Sequence, residues 1–218
     1  MPARPEHSGV PVAAAPGVPG EPRPHDPRDD ERTRCAWGLG SGPMAQYHDT
    51  VWGVPQYDPT TLFEFLTLEG AQAGLSWSTI LMRQDGYRRA FRGFDPLVVA
   101  AMTDDDVEDL MLDTAIIRNR GKITSTIGNA RAWLELDDPV EFLWSFVGGA
   151  PIVNHVGPTG PPPSTDRSEA MSKALKQRGF RFVGPTICYA LMQACGMVND
   201  HWVECFRHAE CAAMAARK

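Results

Sequence analysis

Beyond residue 34, apolar positions recur every three to four residues, and strict alternation is nearly absent, so the pattern predicts an all-α fold. Asp58 and Pro59 read as N-cap and first turn of a helix from Thr60 to about Ala73, with Leu62, Phe65, Leu66 and Ala73 as its apolar stripe. Ser76 predicts a short helix to Arg83, and Thr103 with Asp106 resembles a capping box. Ile116 to Leu134 reads as a longer helix, and Pro139 opens another over 140–147 that Gly148 and Gly149 end. Residues 151–165, with five Pro and two Gly, read as a loop.

In the last third, Asp166 with Glu169 starts a helix over 168–178, Gly179 suits its left-handed end, and Gly184-Pro185 opens a helix reaching Cys195. The tight hairpin 179–184 between them leaves backbone amides at Gly184 and the following helix N-terminus for an anion such as a phosphate. The plainer reading is a hairpin that only packs the core.

Composition sharpens the boundaries. Residues 1–33 hold eight Pro, three Gly and no aromatic residue, and read as a disordered tail; the folded unit spans 34–210, with 211–218 as a C-terminal tail. No run approaches the ~18–20 apolar residues of a membrane span, and no apolar leader opens the chain, so an intracellular protein without membrane contact is expected. Twenty-one Lys and Arg against 27 Asp and Glu give a net charge of −6, so any nucleic-acid surface must be local. Residues 167–218 carry eight basic and four acidic side chains, and Arg118, Arg120, Lys122 and Arg131 form a run without acids. The five Cys, an odd number, leave metal ligation or buried thiols as the alternatives.

His201 and Cys205 stand four apart, which on a helix puts both side chains on one face. Cys35 and His48 offer a second sulfur and imidazole. The four complete a tetrahedral zinc set with no open position, hence a structural ion clamping the two ends of the folded unit; alternatively they are ordinary buried residues. Cys188 and Cys195 read as core, and Cys211 as a bystander.

Glu69 falls on the apolar stripe, where an unpartnered charge is costly, so it needs either a structural partner or a functional one. Trp37, Tyr47, Trp52 and Trp77 cluster around it in sequence.

The strings Arg34-Cys35-Ala36-Trp37, Tyr47-His48-Asp49, Trp52-Gly53-Val54-Pro55 and 68–77 (LEGAQAGLSW) resemble the 3-methyladenine DNA glycosylase I family. Segments 116–123, 128–132, 144–147 and 179–200 continue the likeness in order, so it covers roughly residues 34–206. The resemblance implies a helix-hairpin-helix DNA glycosylase fold with zinc on Cys35, His48, His201 and Cys205. It also implies Glu69 as the catalytic, base-reading acid, Tyr47 and Trp77 as stacking rings, Trp37 and Trp52 as further pocket aromatics, and Gly179, Gly184 and Thr186 in the phosphate-gripping hairpin. Val51, Met44 and the Pro-rich 157–163 loop depart from the family's usual pattern, at the rim.

The expected activity is hydrolytic removal of a flipped N3-methyladenine from alkylated double-stranded DNA by a cytoplasmic, nucleoid-associated monomer. No Lys holds a convincing nucleophile position, so no strand cleavage is expected. Asp200 is read either as a cap for the helix carrying His201 and Cys205 or as support for the sugar cation. The alternative function is a non-catalytic, zinc-stapled DNA-binding module in which the hairpin and the Arg118 to Arg131 run grip phosphates. A zinc hydrolase of small molecules is disfavoured because Cys2His2 leaves no site for water.

Overall fold

A computed structural model of the chain describes residues 32–215. The expected tail falls mostly on 1–31, outside the described residues; Arg32 and Thr33, also assigned to it, pack against the C-terminal helix. The Arg32 guanidinium lies 3.9 Å over the Phe206 ring, and Thr33 O accepts from Phe206 N.

The fold is helical, as the periodicity predicts. In chain order the helices are α1 (Pro43–Thr50), α2 (Pro59–Gln72), α3 (Trp77–Leu81), α4 (Gln84–Ala90), α5 (Pro96–Ala100), α6 (Asp104–Leu112), α7 (Arg120–Leu134), α8 (Pro139–Ser145), α9 (Asp166–Gln177), α10 (Pro185–Ala194) and α11 (Phe206–Ala215). Among the described residues no helix is long and apolar enough to cross a membrane. Several starts are chemically explicit. Asp58 accepts from Thr61 N at 2.7 Å, Ser76 from Thr79 N, and Thr103 and Asp106 form the expected box.

α2 is the centre of the molecule. Every residue from 62 to 71 is buried, and the helix packs against α7, α8 and α10. An apolar stripe is therefore too narrow a description; a helix covered on all sides buries its polar residues too.

The structure corrects several sequence-based boundaries. The long helix begins at Arg120 rather than Ile116, because Asn119 is its N-cap and accepts from Lys122 N at 3.1 Å, while Ile116 is buried in the extended lead-in. The short helix expected from Ser76 to Arg83 ends at Leu81, and a separate helix that the sequence reading did not mark, α4, follows from Gln84. α9 is capped by Thr165 in a reciprocal box with Ser168. The presumed loop 151–165 contains β1 (Ile152–Val153), parallel to β2 (Val198–Asn199) with Ile152 opposite Val198; two residues are too few for alternation to register. α11 continues through the boundary set at 210 as far as Ala215 and buries Arg207 and Cys211, so these residues are packed structure rather than tail.

Candidate active site and metal cluster

α2 carries two buried acids, and their surroundings differ. Glu64 Oε1 accepts from Gln84 Nε2 at 2.7 Å and Arg88 Nε at 2.9 Å. Glu69, only 3% exposed, has no partner for its buried Oε2. Burial without a counter-charge pushes its carboxyl up to about 8. The indole Nε1 of Trp77 is likewise buried without a partner. An unmet acceptor and an unmet donor are groups that water or a ligand has to satisfy.

Three elements bring flat rings together, and one of them, Tyr47, lies within electrostatic reach of this acid. α1 supplies Tyr47, buried, and α3 begins at Trp77; their ring centroids are 5.2 Å apart at 47°. The phenol of Tyr47 is pushed well above its ordinary value, first by burial and then by the charge of Glu69. Trp37, 37% exposed in the 3-10 turn Ala36–Gly38, leans on Tyr47 at 6.3 Å. Trp52 stands one ring further out, its neighbours being Trp37 at 5.0 Å and His201 at 4.6 Å. Of the four expected aromatics, Tyr47 and Trp77 thus adjoin each other, Trp37 borders them, and Trp52 packs between Trp37 and the histidine cluster.

Cys35, His48, His201 and Cys205 converge as the spacing predicts: all four are buried and their ligand atoms lie within 4.8 Å of one another. Cys35 Sγ is 3.6 Å from His201 Nδ1, and Cys205 Sγ is 3.5 Å from His48 Nε2 and 3.7 Å from His201 Nδ1. A tetrahedron with metal–sulfur bonds of about 2.3 Å and metal–nitrogen bonds of about 2.0–2.1 Å has sulfur–nitrogen edges of roughly 3.6 Å, so the donor set fits one ion. The far nitrogens are also held: His48 Nδ1 meets Asp49 Oδ1 at 2.7 Å, and His201 Nε2 meets Trp52 O at 3.1 Å. Asp49 in turn takes three hydrogen bonds of 2.8–3.1 Å from Arg34. Burial would raise the Asp49 carboxyl, but the Arg34 and then the His48 hydrogen bonds outweigh it and hold it low. Hydrogen bonding from Cys35 pulls the Cys205 thiol down, while the same contact and then burial push the Cys35 thiol up. Gly38 has to be glycine here, because a Cβ would stand 2.4 Å from the His48 ring.

One expectation about this cluster is corrected. Residues 201–205 are a turn, closed by Cys205 N donating to Trp202 O, and not a helix. The turn brings both side chains to one side just as helical spacing would. Asp200 therefore has no helix to cap. Its carboxylate accepts from Asn154 Nδ2 (2.7 Å), Tyr189 Oη (2.7 Å) and Gln193 Nε2 (2.8 Å), tying α10 to the strand pair.

The hairpin is present between α9 and α10. Gly179 has φ +86°, Gly184 is an N-cap without a side-chain cap, and Thr186 is exposed on the first turn of α10. Phe182 also has φ +55°, which for a bulky residue costs roughly 1–2 kcal/mol and persists only where neighbours impose it. Beside the N-terminus of α10, Lys173, Lys176 and Pro185 line an open groove of about 470 Å³. The basic run from Arg118 to Arg131, given a phosphate grip in the alternative reading of a non-catalytic module, is mostly engaged within the protein. Arg120 is paired with Glu108 through two 2.7 Å contacts, Arg131 donates to the carbonyls of Ala100 and Met102, and Lys122 turns inward to the carbonyls of Ala71 and Ala73. Of that run only Arg118 lacks such a contact, and it is exposed. Sequence reasoning assigned nothing to Asp49, Asn129 or Phe182. The motif Tyr47-His48-Asp49 held the first in plain view, since an acid next to a candidate ligand is a natural orienting partner.

The sequence model of the family described as methyladenine glycosylase matches residues 37–208. DNA-3-methyladenine glycosylase 1 of Escherichia coli is 53% identical over 177 residues, which cover 79% of this chain and 95% of that protein. A crystal structure of 3-methyladenine DNA glycosylase I superposes with a TM-score of 0.78 at 50% identity, covering 80% of this chain and 98% of the other. A Staphylococcus aureus 3-methyladenine DNA glycosylase I, solved to show how 3-methyladenine is recognised, gives 0.77 at 36% identity over 79% of this chain and 95% of its own. With the family model matching residues 37–208 and a relative 53% identical over 177 residues, the chain belongs to the methyladenine glycosylase family.

Proposed function

We propose that this protein is a DNA-3-methyladenine glycosylase that takes a flipped N3-methyladenine from alkylated duplex DNA and hydrolyses its N-glycosidic bond. The observation that carries the reading is Glu69: a buried acid whose Oε2 has no partner, within electrostatic reach of Tyr47, whose ring in turn lies 5.2 Å from that of Trp77. Methylation at N3 makes the base a cation. Stacking against the rings, it gives Glu69 the counter-charge that the folded protein lacks, and the acid ionises against it, releasing its proton to solvent. Neutral adenine offers no such charge, so the pocket separates lesion from parent by electrostatics as well as by fit. Stacking on Tyr47 and Trp77 offsets the few kcal/mol or so of unstacking that flipping requires.

The base is already a good leaving group, so no proton donor is needed. The C1′–N9 bond breaks with its electron pair passing to the base, which departs neutral. Water adds to the oxocarbenium carbon C1′ and loses a proton, leaving an abasic site. Once the base is neutral, Glu69 loses its counter-charge and reclaims a proton, which favours release. Lys122, its ammonium held by two carbonyls, has no free amine for a Schiff base, in keeping with hydrolysis without strand cleavage.

Trp37 lies at the pocket rim, and Trp52 supports it from behind. Cys35, His48, His201 and Cys205 would hold one zinc ion, which when bound supplies a structural cross-link between the two ends of the folded unit. α9, the 179–184 hairpin and α10 form the helix-hairpin-helix element, with Gly179, Gly184 and Thr186 facing a DNA phosphate. Chromatography of bases released from methylated duplex DNA tests the activity. Free 3-methyladenine with intact, abasic strands is expected; no released base from folded, metal-loaded protein overturns the reading.

A further inference from the structure

Two side chains on one face of α7 reach in different directions. Asn129, buried, spends its whole amide on a single hairpin residue: Nδ2 donates to Arg181 O at 3.0 Å and Oδ1 accepts from Arg181 N at 2.8 Å. Seven residues earlier, Lys122 Nζ donates to Ala71 O and Ala73 O, each at 2.7 Å, closing the C-terminal end of α2 just before the loop to Trp77. Seven residues are two helical turns, so both side chains leave the same face about 10 Å apart along the axis.

A third contact joins the two ends. Phe182, next to the clamped Arg181 and held at φ +55°, rests on Gly70, the residue after Glu69. A Cβ at Gly70 would stand 3.2 Å from Phe182 O, so a larger residue there would push the hairpin backbone away by a few tenths of an ångström. The hairpin proposed to hold the DNA backbone and the helix turn that presents Glu69 thus touch directly, and both are pinned to α7.

We propose that Asn129 and Lys122 are positioning residues that set the hairpin in register with the base pocket, so that a DNA backbone held at one delivers a flipped base to the other. This rests on the glycosylase reading above. Neither residue touches the base; each acts through the backbone it holds.

Three readouts on the full chain test it: the binding constant for free 3-methyladenine from tryptophan fluorescence, KM for methylated duplex, and the single-turnover excision rate at saturating duplex. Asn129→Ala and Asn129→Asp should leave free-base binding within about twofold while the saturated excision rate falls about tenfold or more, since misplacement by about 1 Å costs up to about a hundredfold. Lys122→Met, which keeps the aliphatic stem, should weaken free-base binding and excision together. A merely structural role would lower the melting temperature and leave the saturated rate of the folded fraction unchanged; that result overturns the proposal. Hydrogen exchange on the unaltered protein needs no variant. The Arg181 amide should exchange as slowly as core amides of α7, and exchange as fast as that of Lys176 or Gln177 would overturn the clamp even if the variants did not fold. Failure of the unaltered protein to release any base would overturn the activity and leave the exchange result standing by itself.

Discussion

Replacing Glu69 by Gln should make the free protein more stable at neutral pH while impairing its chemistry. Glu69 goes from an ordinary value of 4.5 to about 8 on folding, because burial removes solvation and nothing nearby replaces it. A carboxyl whose folded value is raised keeps its proton in the native state after the unfolded chain has lost it. Its favourable contribution is therefore complete below pH 4.5 and is lost progressively as pH rises through 8. At about 1.4 kcal/mol per tenfold change in proton affinity, the loss is about 3 kcal/mol at pH 7 and approaches about 5 kcal/mol above pH 8. Gln has the same shape and no charge, so its stability should lack this slope. Urea unfolding of both metal-loaded proteins from pH 5 to 9 isolates the effect, since the metal cluster and every other titrating group are common to the two curves. The difference should grow in favour of Glu69→Gln by about 2 to 3 kcal/mol between pH 5 and 7. A permanently cationic N3-methylated adenine, such as the 3,9-dimethyladeninium ion, should bind the parent protein and reduce its slope, and bind the variant more weakly. Parallel stability curves would refute the claim that Glu69 is buried without a partner, and with it the electrostatic basis of selection.

The pocket and its supports give sharper single-site tests. Trp77→Ala removes one stacking face, worth about 1–3 kcal/mol per base, so free-base affinity should fall about tenfold or more with little change in circular dichroism; unchanged affinity would remove Trp77 from the pocket. Asp49→Asn loses the carboxylate that orients His48, and competition with a chromophoric chelator should show zinc held about 10- to 100-fold less tightly. Equal retention would mean that Asp49 serves only Arg34. Thr186→Glu places a negative charge at the exposed start of α10, and should raise KM for duplex while leaving free-base binding as it was. An unaffected KM would move the phosphate contact elsewhere.

What could be read from the sequence was set by short-range rules. Asp58-Pro59, Thr103 with Asp106, and Gly179 announce their elements because a cap or a left-handed turn depends on a few neighbouring residues. The four cluster residues were legible because so few side chains bind metal and because Cys35 and Cys205 stand at the two ends of the folded region. The turn at 201–205 was misread as helix since i and i+4 fall together in both. The basic run on α7 misled for a different reason. Whether Arg120, Lys122 and Arg131 face phosphate or protein depends on Glu108 and on four backbone carbonyls, and a carbonyl leaves no mark in the sequence. Asn129 was missed on the same ground, its partner being the backbone of Arg181, 52 residues away.

Glu64 and Glu69 show how one helix serves folding and chemistry at once. Both are buried on α2, five residues apart, and so leave the axis on different sides. Glu64 is met by Gln84 and Arg88, which satisfy the group and stabilise the packing of α2 against α4. Glu69 lies within electrostatic reach of Tyr47, whose ring packs near Trp77, and no charged partner meets it. A sequence chosen for stability alone would place an apolar residue at 69, as a buried acid without a partner is destabilising at neutral pH. Retaining the acid gives the folded protein an unmet electrostatic demand of several kcal/mol, roughly, that only a positively charged guest can meet. The demand acts only if the surrounding structure cannot relax to satisfy it, which is the role left to Lys122, Asn129 and the close approach of Phe182 to Gly70. Rigidity at the back of α2 and selectivity at its front are then one property of the fold.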